Sequence, residues 1–229
     1  MITAILRNLP SRCQLCHQRL NDVLGPWCEV CRNSFPDSAR CKQCGLKLVT
    51  DLSQCGECLN RPPDWDQLYC AADYDFPIDD LLHKFKYRGQ FWLANPLSTL
   101  LADKVASPAP LLLPVPMHWL RRCRRGYNQS AVLTHYLAIK LDTNWRHDVL
   151  KRVRATPAQR GLKRSQRLSN LSSAFAVNTN IALPSHVALV DDVVTTGSTV
   201  NTLSRLLKQY GVKRVDVYCL CRTAKNRDL

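Results

Sequence analysis

Two sets of residues have the types and spacing to do chemistry. The first is eight cysteines in four CxxC pairs: Cys13/Cys16, Cys28/Cys31, Cys41/Cys44 and Cys55/Cys58. Two such pairs separated by a hairpin-sized interval place four thiolates tetrahedrally around zinc. The second is the thirteen-residue string VALVDDVVTTGST, Val187 to Thr199. Its turn, Thr195, Thr196, Gly197, Ser198 and Thr199, brings small residues to a helix start, where backbone N–H groups and hydroxyls aim at one point and suit a phosphate. The adjacent Asp191 and Asp192 cannot hold that phosphate; they suit sugar hydroxyls or a metal ion beside it. Phosphate and polyol together point to a sugar phosphate. Neither GxGxxG nor GxxxxGK[ST] occurs in the chain. A lone DD or TTG would read as a solvated loop, but the whole string is more specific than either.

Eight thiolates supply two zinc sites. Short local loops favour sequential pairing, with Cys13, Cys16, Cys28 and Cys31 on one ion and Cys41, Cys44, Cys55 and Cys58 on the other. A cross-braced arrangement satisfies the same spacing. Gly45 and Gly56 follow cysteines and ease a tight knuckle turn, whereas no thioredoxin-like βαβ pattern surrounds any pair. His17 reads as a bystander. Cys70, Cys123, Cys219 and Cys221 read as buried or free thiols. The module spans residues 1–64, has little apolar core of its own, and draws its folding free energy from zinc. Its ligand pattern does not choose between a spacer, a docking surface and a nucleic-acid contact.

The elements that must position the string at 187–199 follow the stiff boundary Arg61-Pro62-Pro63. Gln67 to Tyr74 reads as a strand, and Ile78 to Tyr87 as a helix with Lys84, Lys86 and Arg88 at its cation-favouring end. Phe91 to Val105 continues as a helix that tolerates Pro96 in its first turn. Leu111 to Val115 is a strand, Asn128 to Leu141 an amphipathic helix, and Val149 to Val153 a further strand. Val187 to Val190 is a continuous apolar run of the kind a buried parallel strand shows. A helix through Val200, Leu203, Leu206 and Leu207 follows, and Arg214 to Cys221 is the last strand. Arg154 to Ser173 is polar and basic. It reads either as a loop in which Arg160, Lys163, Arg164 and Arg167 close over an anion, or as a disordered linker. Alternating strands and helices predict an α/β domain over residues 65–229, a parallel sheet flanked by helices, with ligands at the carboxyl ends of the strands.

The chain has 229 residues and a formal net charge of +14. Between His118 and Arg167 there are thirteen Lys/Arg against Asp142 and Asp148 only, so the basic excess lies where it could meet a polyanion. Arg121, Arg122, Arg124 and Arg125 are the densest part, and they are candidates for contact with single-stranded DNA; Trp119 and Tyr127 can stack on bases or belong to the core. No apolar run is long enough for a membrane span, and the opening MITAILRNLPSRC is broken too early for a secretory signal. The expectation is a cytoplasmic protein.

In chain order, the CxxC ribbons, LLHKFKYRG, the PVP strand exit, RRGYNQS, TPAQRGLKRSQRLSN and VALVDDVVTTGST resemble the ComF/GntX family. That resemblance implies an N-terminal double zinc ribbon joined to a type I phosphoribosyltransferase domain. It also implies an association with natural competence for DNA uptake, or with use of extracellular DNA as a nutrient. The family's ligand is phosphoribosyl pyrophosphate (PRPP) with Mg²⁺, or a related ribose phosphate. By the resemblance, Asp191 and Asp192 hold the ribose hydroxyls, Thr195 to Thr199 wrap the 5′-phosphate, and Val193 and Val194 belong to the same PRPP-binding stretch. Val115, Pro116, Met117 and His118 form the pyrophosphate turn, and Ala155 to Leu168 the flexible loop. Thr195 stands where purine-salvage relatives carry an acidic base, which implies an acceptor that needs no deprotonation by the protein. Two readings follow: Mg²⁺-dependent phosphoribosyl transfer, or a non-catalytic adaptor for single-stranded DNA or competence-machinery proteins in which PRPP is a regulatory ligand.

Overall fold

The computed structural model describes residues 12–20, 26–117, 123, 126–153 and 174–223. Five strands form one parallel sheet, built around the apolar run at Val187. The strand carrying that run is β6, His186–Val194, and it lies in the interior of the sheet order β1-β7-β6-β2-β3. The other strands are β1 (Gln67–Asp73), β2 (Leu111–Pro114), β3 (Asn144–Trp145) and β7 (Arg214–Arg222), and every pairing among them is parallel. Strand side chains alternate between faces. Val187 and Leu189 therefore enter one core layer, and Ala188 and Val190 the other. With both faces covered, the strand is apolar at consecutive positions.

One layer is covered by α6 (Ser198–Gln209) through Val200, Leu203 and Leu207. The opposite layer is covered by α3 (Ile78–Tyr87), α4 (Ala94–Ala102) and α5 (Gln129–Lys140). Pro96 falls in the first turn of α4, where its missing N–H costs nothing; the preceding Phe91–Leu93 forms a 3₁₀ turn rather than helix. Val149 to Val153 yields β4 (Leu150–Arg152), which stands outside the main sheet and pairs antiparallel with β5 (Phe175–Val177). β6 continues past the apolar run to Val194, so Asp191 and Asp192 belong to the strand rather than to the turn after it.

The cysteine-rich segment does not stand apart. It contributes two short helices, α1 (Glu29–Asn33) and α2 (Gly56–Asn60). Cys13, Cys31 and Trp27 join the layer of α3 to α5, whereas Cys41, Cys44, Cys55, Cys58 and Trp65 join the layer of α6. The segment thus straddles the outer edge of β1. Along that edge Leu68 donates its N–H to the Lys42 carbonyl (3.0 Å) and Asp73 donates to Pro36 (3.3 Å).

Candidate phosphoribosyl and metal sites

The chain turns to opposite sides after β2 and after β6, which are hydrogen-bonded neighbours. The carboxyl ends of two such strands frame the crevice where ligands gather in open parallel sheets. Their exits are tied together: Val115 N–H donates to the Val190 carbonyl at 2.9 Å. Asn128 caps α5 by accepting from the Ser130 N–H (3.2 Å), and its amide donates to the Val115 carbonyl (3.2 Å). These two hydrogen bonds of Asn128 deliver Ser130 to Asp191, whose Oδ1 accepts from the Ser130 hydroxyl and from the Asp192 N–H, each at 2.9 Å. Asp192 instead faces the Lys86 ammonium of α3 at 3.1 Å. Burial of the Asp191 carboxyl, then the neighbouring Asp192 charge, push its pKa up to about 7.

Beyond Val194 the chain turns through Thr195 and Thr196 to Gly197, whose φ of 76° is left-handed and whose position is the N-cap of α6. The Thr196 and Ser198 hydroxyls lie 2.9 Å apart, and the Ser198 N–H donates to Thr196 Oγ1 at 3.3 Å. The backbone N–H groups of Thr195, Thr196 and Gly197 have no partner among the described residues. Donors unmatched by protein at a helix start make an anion cradle. Asp191 and Val193 to Val200 together line the concavity above it. A larger concavity of about 550 Å³ lies between the cysteine-rich segment and β1, but its Arg40 and Lys104 are already paired with Asp73 and Asp37.

Val115, Pro116 and Met117 lie at the β2 exit beside this site. His118, Arg121, Arg122, Arg124, Arg125, Arg160, Lys163, Arg164 and Arg167 fall outside the described residues. Sequence reasoning missed Lys86 and Ser130. Lys86 read only as a cation at a helix end; its one distinguishing signal was its place in LLHKFKYRG. Ser130 sits in RRGYNQS, where the capping Asn128 was the cue.

The cysteines separate into two sets, Cys13/Cys16/Cys28/Cys31 and Cys41/Cys44/Cys55/Cys58, with the sulfur atoms of each set within 4.8 Å of one another. Pairing is therefore sequential, not cross-braced. Backbone N–H groups of Cys44 (3.5 Å) and Cys55 (3.3 Å) point at Cys41 Sγ, which is how a thiolate is stabilised. Burial opposes ionisation of Cys13, but the N–H groups of Cys16, Cys28 and Leu15 outweigh it and bring the thiol down to about 6. Burial, with a lesser push from the Cys41 charge, lifts Cys44 to about 12. Each set thus holds one thiol that is lowered, Cys13 or Cys41, beside one that burial raises, Cys31 or Cys44, which suits a divalent metal, and four sulfurs at this spacing suit zinc.

Residues 128–229 match the phosphoribosyl transferase domain family. The chain is 36% identical to Competence protein F of Haemophilus influenzae over 92% of its own length and 96% of that protein. It belongs to the ComF/GntX family. DNA utilization protein YhgH of Escherichia coli is 39% identical, covering 94% of this chain and 98% of that one. Among solved structures, a Trypanosoma cruzi hypoxanthine phosphoribosyl transferase aligns at a TM-score of 0.35 and 18% identity over 62% of this chain and 69% of the other, too loose to carry an argument. The ComF/GntX assignment agrees with a double Cys₄ module ahead of a parallel-sheet domain. No helix among the described residues is long and apolar enough to cross a membrane.

Proposed function

We propose that this protein binds PRPP at the β6 exit and transfers its phosphoribosyl group to an acceptor in the handling or use of DNA. The observation that carries the reading is the meeting of Asp191 and Asp192 with an unpartnered N–H turn at the switch between β2 and β6, in a chain with this membership. Asp191 and Asp192 accept the two ribose hydroxyls. Thr195 to Thr199 hold the 5′-phosphate through backbone N–H groups and the Thr196 and Ser198 hydroxyls. Val115 to His118 cover the pyrophosphate, and Arg160, Lys163 and Arg164 are the candidate closing cations. Mg²⁺, bound with PRPP, would neutralise the departing pyrophosphate. Lys86, paired with Asp192, orients that carboxylate while positive charge develops at the ribose. Thr195 supplies no base, so the acceptor arrives ready to react.

Residues 1–64 serve as the double zinc ribbon and residues 65–229 as the transferase domain, in a cytoplasmic setting. Single-stranded DNA on the four arginines at 121–125 is a proposed partner; competence-machinery proteins are another.

The test is isothermal calorimetry of zinc-loaded protein with PRPP and Mg²⁺, with ribose 5-phosphate as the fragment, followed by pyrophosphate-release assays with and without single-stranded DNA. Asp191→Ala with Asp192→Ala should weaken PRPP by more than about tenfold, since hydrogen bonds to a charged group are worth roughly 1.5–3 kcal/mol each. Thr196→Val, which keeps volume and deletes one hydroxyl, should weaken both ligands. Wild-type protein that binds neither ligand would overturn the reading.

A further inference from the structure

The phosphate turn rests on the second cysteine cluster through two buried side chains. Trp65 is 4% exposed, and its indole N–H donates at 2.6 Å to the carbonyl of Gln43, inside the Cys41–Cys44 loop. The far end of the same ring lies against Gly197: a Cβ placed there would come within 2.7 Å of Trp65 Cη2. One rigid ring therefore spans from the thiol loop to the middle of the phosphate turn. Arg222, at the end of β7, spans the same gap from another side. Its Nε donates to the Cys44 carbonyl, and its Nη1 to the carbonyls of Val194 and Thr223, all at 3.0 Å. No carboxylate pairs with Arg222 among the described residues, so its charge stands beneath the last residue before the turn, where an anion above is favoured.

The connecting segment is strapped to the helix that begins at the turn. Asp64 N–H donates to Asn201 Oδ1 at 2.7 Å, Arg205 pairs with Asp64 at 2.7 Å, and Lys208 pairs with Asp66 at 3.0 Å. Among the described residues the first cluster shows no such side-chain span to the phosphate turn: it packs in the opposite core layer, and its helix adds the exposed pair Arg32–Asp103.

We propose that Trp65 and Arg222 are positioning residues that transmit the shape of the second Cys₄ loop to the phosphate turn, so that this cluster, and not the first, governs affinity for a 5′-phosphate. The proposal rests on the reading of that turn as a phosphoribosyl site. An ion held by Cys41, Cys44, Cys55 and Cys58 would fix the Gln43 and Cys44 carbonyls, and those carbonyls hold the two side chains on which Gly197 and Val194 lie.

Calorimetry of full-length, zinc-loaded protein with ribose 5-phosphate tests this, alongside metal analysis. Trp65→Leu should weaken ribose 5-phosphate by about tenfold or more, the cost of misplacing one N–H to a charged group, while both zinc ions remain. Trp65→Phe restores most of the ring and should recover part of that loss. Arg222→Lys, which keeps the charge but cannot reach both the Cys44 and Val194 carbonyls, should weaken binding in the same direction. Arg32→Ala, which severs the exposed tie of the first cluster, should stay within about twofold of wild type. Ribose 5-phosphate should also change the intrinsic fluorescence of wild type, and Trp65→Phe should abolish most of that change. If Trp65→Leu does not fold, Trp65→Phe and Arg222→Lys decide. Wild-type affinity in variants that retain two zinc ions overturns the proposal. Wild-type protein that ignores ribose 5-phosphate overturns the site reading itself.

Discussion

Asp191 and Asp192 are neighbours in the chain yet live in different charge environments. Asp192 has the Lys86 ammonium beside it, whereas Asp191 has a hydroxyl and an N–H and is lifted from 3.8 to about 7 by burial and by Asp192. A ribose hydroxyl donates best to an ionised carboxylate. Affinity for ribose 5-phosphate should therefore rise as pH increases through about 7, with inorganic phosphate as the control for the ligand's own titration. Asp191→Asn should flatten that rise. The same residue sets a stability prediction of definite sign. A carboxyl whose folded pKa is raised carries no penalty below its ordinary range, acquires one as pH climbs past about 4, and carries it in full above about 7. Thermal unfolding should find Asp191→Asn as stable as wild type at pH 4 and more stable by about 1–3 kcal/mol at pH 8, a figure discounted for the partial exposure of the residue. Lys86 lowers the Asp191 pKa through its charge. Lys86→Met should move the binding midpoint above 7 and, by leaving Asp192 unpaired, destabilise the protein by about 1–3 kcal/mol.

At the scale of elements, the turn before α6 depends on one residue lacking a side chain. Gly197 has a left-handed φ, and an added methyl would press on an aromatic ring held at its other end by the Gln43 carbonyl. Gly197→Ala should cost about 1–3 kcal/mol in denaturant unfolding and abolish measurable ribose 5-phosphate binding, because strain and overpacking act on the atoms that hold the phosphate. This element was legible in sequence: an apolar run, two acids and a small-residue turn declare themselves locally. So was Ile78–Tyr87, whose apolar spacing matches its buried face of Ile78, Leu81, Leu82 and Phe85. What escaped were features decided by distant partners. β3 has two residues and exists only because Leu111 and Leu112 lie beside it. β5 was missed because its three residues pair only with β4, the strand expected at Val149 to Val153, across a stretch of basic sequence. Lys86 looked like its neighbour Lys84, but Lys84 pairs with Asp80 on its own helix while Lys86 turns into the site. Trp65, just after a Pro-Pro boundary, gave no sign that it would meet Gly197.

On the scale of the whole molecule, the cysteine-rich segment is a participant in the domain's packing. Sequence reasoning expected a module with little core of its own, and each cluster indeed completes a different layer of the domain. Metal analysis should find about two zinc ions per chain. Chelation should then lower the unfolding temperature of the entire chain in one transition, followed together by calorimetry and circular dichroism, because neither layer keeps its full contacts without the cysteines. A separate early transition confined to the cysteine-rich segment would contradict this.

The bonds from Leu68 and Asp73 to Lys42 and Pro36 bear on a different matter, the order in which the chain is made. β1 is the first strand of the sheet, and its one partner among the described strands is β7, the last of those strands to be synthesised. Until residue 222 emerges, β1 is a seven-residue strand with its inner edge bare, and bare edges recruit other chains. The cysteine-rich segment precedes β1 and can cover part of its outer edge from the start, through the bonds to Lys42 and Pro36. Zinc supplied during expression should therefore raise the soluble fraction recovered, read by the amount of protein in the cleared lysate with and without added zinc, before any question of ligand binding arises.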